Sequence, residues 1–463
     1  MVLDTTLSQR DRLLFVLLFL LEVSIVAILK ILHMKGEMAI GIFALSIPGF
    51  VFLAASLVVL VTGAVLIHLY RAHRRSPSRY FRLIVAMNLI TVFLMMVAGE
   101  ILVRAASRPY LNGEAIGTVL LKPKNWDMTR EHYRELIGKA SGDLSYLVYD
   151  DQVGWSVGSN RRSANGLYRS SPKGVRGPHE GVVFPVNEGR STVVLIGDSY
   201  TFGEEVTYEE SWGYQLSRLL SEEAQVVNLG VPGYGVDQAY LRYKKDAGRW
   251  KPKVTIFGLF AHDLSRTLTV YTFLAHPHWG LPFSKPRFIL SNGRLQRLNE
   301  PTLRPEAIFS HPSISELQFL ELDRGYEEST WQQSFYHASY LFRLFVSWYP
   351  SWSASIPAFL DEELVSINSS ILKAFVRDTE REGTIPVVVF FPGRGELEKM
   401  SSNAEMVLYD AGIEYVDTTP CLQEVDPDDR FMPGGHYSPA GNAAVAKCLL
   451  PVVQEKLRKA TVS

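Results

Sequence analysis

Cysteine is nearly absent from this chain, with only Cys421 and Cys448 among 463 residues. A cysteine-based zinc cluster and a disulfide-stapled scaffold are therefore both excluded. A single bridge and a pair of buried free thiols stay equally open. An excess of charge of either sign is also lacking, since 47 Lys and Arg face 48 Asp and Glu. That balance gives no electrostatic reason to expect nucleic acid as a partner. Internal repeats and low-complexity tracts are missing as well, which argues against solenoids and arrays. Apolar residues, by contrast, make up 47% of the chain, and the excess sits almost entirely before Arg108.

Three apolar runs account for it, at residues 13–32, 40–69 and 83–103. Each has the length needed to cross a bilayer, roughly 20 residues. The second contains Pro48, so a tilt or kink is expected there. The first has no small-residue cleavage site and is followed by further spans, which makes it an anchor and not a removed signal. Arg71, Arg74, Arg75, Arg79 and Arg82 crowd the second connection without an acid, whereas the first has only Lys35 against Glu37. By the positive-inside rule the arginine-rich loop is cytoplasmic, which puts the amino terminus inside and everything after Arg108 outside. Glu22, in the middle of the first run, would cost at least ~2.5 kcal/mol if exposed to lipid. It is expected to face another helix, with Asn88 as one partner, or to be protonated.

Beyond the membrane region, the run Val193-Val194-Leu195-Ile196 ends at Gly197-Asp198-Ser199. An uninterrupted aliphatic run predicts a strand buried on both faces, and it sets a serine at the carboxyl end of a central strand. That end is where open α/β sheets keep their reactive groups. Further strands are predicted from Val226, over residues 254–260 and 386–391, and a short one at 413–416. Helices are predicted from Trp126 to Gly138, from a Ser211 N-cap to Leu220, from Asp361 to Glu382, and from Pro439 to about Lys456, with Ser438 as N-cap. Asn292-Gly293, between Arg287 and Gln296, predicts a β-hairpin.

The stretch Gly197-Asp198-Ser199-Tyr200-Thr201-Phe202-Gly203 resembles the first block of the SGNH (GDSL-type) serine hydrolases. Asn228-Leu229-Gly230-Val231-Pro232-Gly233 resembles the second, and His436 followed by Ser438-Pro439-Ala440-Gly441 resembles the last. The resemblance implies an α/β fold, a three-layer doubly wound parallel sheet, here preceded by three transmembrane helices. It implies Ser199 as nucleophile, His436 as base, and an oxyanion hole formed by the N–H groups of Ser199 and Gly233. The third block departs from the family, with His262 where an asparagine usually donates the third oxyanion hydrogen bond. An imidazole N–H can stand in for it. The last block departs too, since the usual aspartate just before the histidine is replaced by Pro433-Gly434. Asp426, Asp428 and Asp429 are the nearest acids, and a loop carbonyl at Nδ1 is favoured over them, giving a Ser–His dyad.

The resulting organisation is a membrane anchor over 1–108, a lead-in over 109–190, and a hydrolase-like domain over 191–463 carrying an insertion at about 265–357. Asp150, Gly154-Trp155 and Gly174-Val175-Arg176-Gly177 in the lead-in look like the extension of membrane-attached members of that family. The implied activity is a membrane-anchored, extracytoplasmic (periplasmic-side) esterase acting on O-acyl groups, chiefly O-acetyl, of envelope or secreted glycans, with lipid esters as the other accessible substrates. Neither a metal nor an organic cofactor is implied. An O-acyltransferase served by a separate acyl-donating membrane partner and a non-catalytic glycan-binding module are the alternatives.

Overall fold

The computed structural model describes residues 81–117, 119–139, 146–186, 189–221, 223–347, 361–399 and 403–462. The first two expected spans and Glu22 lie outside these residues. The third coincides with a helix at Phe81–Ala106, on which Phe93, Leu94, Met95, Met96, Ile101 and Leu102 are exposed. Among the described residues no helix is long and apolar enough to cross a membrane. The three expected crossings thus find no support among the described residues.

The chain divides into two compact units. The smaller takes the residues up to Asn125 together with Ser329–Trp352. In it a three-stranded antiparallel sheet (Arg108–Tyr110, Gly113–Ile116, Val119–Leu121) accompanies the helix at Phe81–Ala106 and a second helix at Tyr340–Ser347. Polar contacts tie these pieces together. Glu100 accepts from the Tyr340 and Leu341 N–H groups at 3.0 and 2.9 Å, and Arg343 pairs with Glu114 at 2.5 Å. The 265–357 stretch is shared between the units, its described residues 329–347 falling in the smaller one.

The larger unit is built on a five-stranded parallel sheet. Its strands are β1 (Ser191–Ile196), β2 (Ala224–Asn228), β3 (Val254–Phe260), β4 (Ile385–Phe391) and β5 (Tyr415–Asp417), in the spatial order β5-β4-β3-β1-β2. The apolar runs make these strands because alternate side chains are needed on both faces. Val194, Ile196, Val227, Phe257, Leu259, Val388 and Phe390 fill the core on one face, beneath helices Val236–Asp246 and Glu362–Arg381. Val193, Leu195, Val226, Ile256, Val389 and Phe391 fill the other, beneath Trp212–Leu220 and Pro439–Val462. This is the three-layer α/β arrangement that the sequence predicts. The hairpin also forms, Arg287–Ser291 against Arg294–Leu298, with Asn292 and Gly293 both at positive φ as a type I′ turn requires.

One cap differs from expectation. The Ser211 hydroxyl donates back to the Tyr208 carbonyl at 2.7 Å instead of capping its helix. The Asn442 side chain, from the last helix, accepts the Trp212 N–H at 2.9 Å. An orphan amide at a helix start needs an acceptor, and here it comes from a distant segment. Cys421 and Cys448 form a disulfide, joining the helix at Thr419–Gln423 to the one at Pro439–Val462 and closing the stretch that carries His436.

Candidate active site

Ser199 stands where β1 ends and a single helical turn, Ser199–Phe202, begins. Asp198 caps that turn by accepting the Tyr200 N–H at 2.9 Å. The Ser199 Oγ lies 2.9 Å from His436 Nε2. His436 comes from the loop before the last helix, where Met432 N–H donates to the His436 carbonyl at 2.7 Å and Tyr200 Oη donates to the Gly435 carbonyl at 3.0 Å. The serine and histidine, 237 residues apart, are thus brought to hydrogen-bonding distance.

The acid at the far side of the imidazole is Glu205. Its Oε2 is 2.9 Å from His436 Nδ1 and 3.0 Å from the His436 main-chain N–H, while Oε1 accepts from Gly434 N–H at 2.8 Å. A carboxylate only accepts, so Nδ1 carries the proton and Nε2 offers its lone pair to the serine hydroxyl. Burial alone would raise the Glu205 pKa, but the donors from His436 and Gly434 outweigh it and hold the carboxyl below its ordinary value. This corrects the expectation for Asp426, Asp428 and Asp429. Those residues lie exposed at a short turn, Pro427–Asp429, where Asp426 accepts from Asp428 N–H. A loop carbonyl does not take Nδ1 either. The signal that was overlooked is Gly434, since a Cβ there would lie 2.5 Å from Glu205 Oε1. The glycine marks where a carboxylate from elsewhere packs against the histidine loop.

Ser199, His436 and Gly233 all line one cleft of about 350 Å³. Gly233 has a φ of 80°, and a Cβ there would crowd Trp279 at 3.3 Å, so the backbone can face the cleft only as glycine. His262 is not among the lining residues. It sits on the first turn of a helix at Ala261–Arg266 with its ring 4.8 Å from that of Phe260. Burial and then Arg266 lower its pKa. One turn on, it is Arg266 that reaches the cleft. The Arg266 guanidinium donates to Asp263 at 2.7 Å and to the Tyr234 carbonyl at 3.0 Å, and lies 3.4 Å from Asp198. Burial and the nearby Asp198 push the Asp263 carboxyl up, against the pull of Arg266.

Of four further residues of the cleft, Trp279 lies in the insertion expected at about 265–357, and Glu204, Tyr146 and Tyr168 carry no functional signal in the sequence. Glu204 places a carboxylate oxygen 3.5 Å from His436 Nε2. Trp279 lies under the Arg266 guanidinium, 5.0 Å from it, and stacks on His276 at 4.0 Å. Burial, then Arg266, pushes the His276 imidazole down to about 3, keeping it neutral in that stack. Tyr146 and Tyr168 complete the aromatic lining.

Residues 193–281 match the family model of the GDSL-like lipases and acylhydrolases. The match covers less than half of the chain. It supports a GDSL/SGNH-type domain and a hydrolase acting on esters. Similar solved structures include a lipase/acylhydrolase from Enterococcus faecalis, at 12% identity over 57% of this chain and 96% of that one, with a TM-score of 0.31. A variant of Axe2, an acetyl-xylooligosaccharide esterase from Geobacillus stearmophilus, shows 13% identity over 58% and 94%, with a TM-score of 0.30. A G-D-S-L lipolytic protein from Veillonella parvula shows 10% identity over 57% and 98%, again at 0.30. No curated protein matches the chain.

Proposed function

We propose that the protein is a serine esterase that removes O-acyl groups from an envelope or secreted glycan, working through a Ser199–His436–Glu205 triad. The observation that carries this reading is the continuous chain of contacts from Ser199 Oγ through His436 to Glu205, each link 2.9 Å. Ser199 Oγ attacks the ester carbonyl as its proton passes to His436 Nε2, and the imidazolium so formed lies against the Glu205 carboxylate. The N–H groups of Ser199 and Gly233 receive the oxyanion. Collapse breaks the ester C–O bond, and the leaving sugar hydroxyl takes the proton from Nε2. Water then gives a proton to Nε2 as it attacks the acyl carbon, the acyl–Oγ bond breaks, and Ser199 Oγ takes the proton back from Nε2 as the acid leaves.

The glycan preference rests on the mixed lining of the cleft, in which the aromatic Trp279, Tyr146 and Tyr168 stand beside the polar Glu204 and Arg266. Attachment to the cytoplasmic membrane through residues 13–32, 40–69 and 83–103, with the hydrolase outside, rests on the apolar runs and the arginine asymmetry between them. Fluorophosphonate labelling of the purified protein tests the chemistry. Labelling is expected in the unaltered chain and not in Ser199→Ala. Equal labelling of both, or none of either, overturns the proposal. Whether the acyl group goes to water or to an added oligosaccharide separates hydrolysis from transfer.

A further inference from the structure

Glu204 and Glu205 reach opposite nitrogens of one imidazole from adjacent positions, so the backbone between Gly203 and Val206 has to be held closely. Glu205 itself adopts a φ of 67°, a conformation uncommon outside glycine. Something must over-determine it.

The restraint comes from the lead-in, outside the family-model match. Arg176, only 1% exposed, lies in a two-residue strand, Arg176–Gly177, paired with Arg169–Ser170. Its Nη1 donates to the carbonyls of Phe202 and Gly203, and its Nη2 to that of Val206. These carbonyls bracket the two glutamates on both sides. The guanidinium also packs on the Phe202 ring at 4.5 Å and the Tyr168 ring at 5.1 Å. Tyr168 closes the arrangement, because its hydroxyl accepts the Glu205 main-chain N–H at 2.9 Å. A buried guanidinium is costly to desolvate, and several carbonyls converging on its rigid fork are a geometry that lysine's point charge cannot copy.

We propose that Arg176 and Tyr168 are positioning residues that set the Glu205 carboxylate against His436, which makes the lead-in a working part of the site. The inference rests on the triad reading above. Its bland rival is that Arg176 merely satisfies the orphan carbonyls where the Ser199–Phe202 turn ends. The two differ in one measurable respect. A positioning residue acts through Glu205, so its effect on turnover vanishes once Glu205 is already disabled, whereas a general stabiliser acts equally in both backgrounds.

The test is a double-mutant cycle on the full chain, measuring kcat and KM for a soluble aryl ester. Arg176→Gln is expected to lower kcat by roughly a hundredfold, the scale of a misplaced group, with KM little changed. In the Glu205→Gln background the same substitution is expected to change kcat less than about threefold, since groups acting as a unit do not add. Equal losses in the two backgrounds overturn the inference. Should Arg176→Gln fail to fold, Tyr168→Phe removes only the hydroxyl acceptor and is read in the same cycle, with coupling again expected and additivity again fatal. Failure of the triad reading looks different, because the unaltered chain would then show no turnover dependent on Ser199.

Discussion

A carboxylate that accepts hydrogen bonds from two main-chain amides and one imidazole is tied to its place by its charge, and Glu205 is such a group. Replacing it by glutamine removes the acceptor that stabilises the imidazolium and leaves the tautomer unspecified. Turnover by Glu205→Gln is expected to fall by up to ~10⁴, the scale of losing a triad acid, while Ser199→Ala and His436→Ala remove nearly all of it. The depressed pKa of Glu205 adds a stability prediction with a definite sign. A carboxyl whose folded value lies below its unfolded value stabilises the fold above the unfolded value, and loses that contribution as pH falls through the folded one. The melting-temperature gap between the unaltered chain and Glu205→Gln should therefore shrink on acidification from the ordinary glutamate range downward. A gap that stays constant or widens would show that the carboxylate is not held by its charge. His262 carries the opposite expectation. Because it does not line the cleft, His262→Ala should cost well under the ~10²–10³ in rate that loss of an oxyanion donor brings. A loss of that full size, measured by steady-state turnover, would return it to the oxyanion hole.

Among the elements, the strands were legible because burial on both faces forces an unbroken apolar run, and β3 has the bounds, 254–260, that its residues predict. The Ser438 cap was legible too, its hydroxyl accepting the Gly441 N–H at 3.1 Å, but the cap of the Trp212 helix and the acid were not, because they depend on contacts made across the fold. Trp212 is capped by a side chain 230 residues away, and His436 meets an acid 231 residues away. No local pattern records such a meeting, apart from the glycines that make room for it. Gly434 tests this directly. The three nearest neighbours of a Cβ there are Oε1, Cδ and Oε2 at the end of the Glu205 side chain, and no positive φ is involved. Strain of this kind is relieved by moving the carboxylate, so the penalty falls on catalysis and not on the fold. Gly434→Ala should keep its melting temperature within a few degrees while kcat drops by on the order of tenfold or more. A large loss of stability with unchanged kcat per folded molecule would mean that the loop moves and the carboxylate stays.

At the scale of the whole molecule, the compartment and the disulfide make one connected argument. The arginine-rich connection between the second and third apolar runs, if cytoplasmic, places everything after Arg108 on the other side of the membrane. Disulfides persist there and are rare in the cytosol. The bridge between Cys421 and Cys448, 27 residues apart, closes the segment that carries His436. On the chain-entropy estimate it stabilises the fold by roughly 3 to 4 kcal/mol. Reduction should therefore lower the melting temperature and slow ester turnover together, since the histidine loop loses the restraint that holds it near Ser199. In protein taken from cells quenched with alkylating agent, both thiols should be blocked to the reagent until a reductant is added, as read by mass. A reporter fused at Ser463 should be active only outside the cytoplasm. The two measurements guard each other. A cytoplasmic reporter with free thiols would overturn the membrane topology and the glycan substrate with it. An external reporter with free thiols would overturn only the bridge, and the triad geometry would then have to be maintained by the Pro439–Val462 helix packed on Trp212–Leu220.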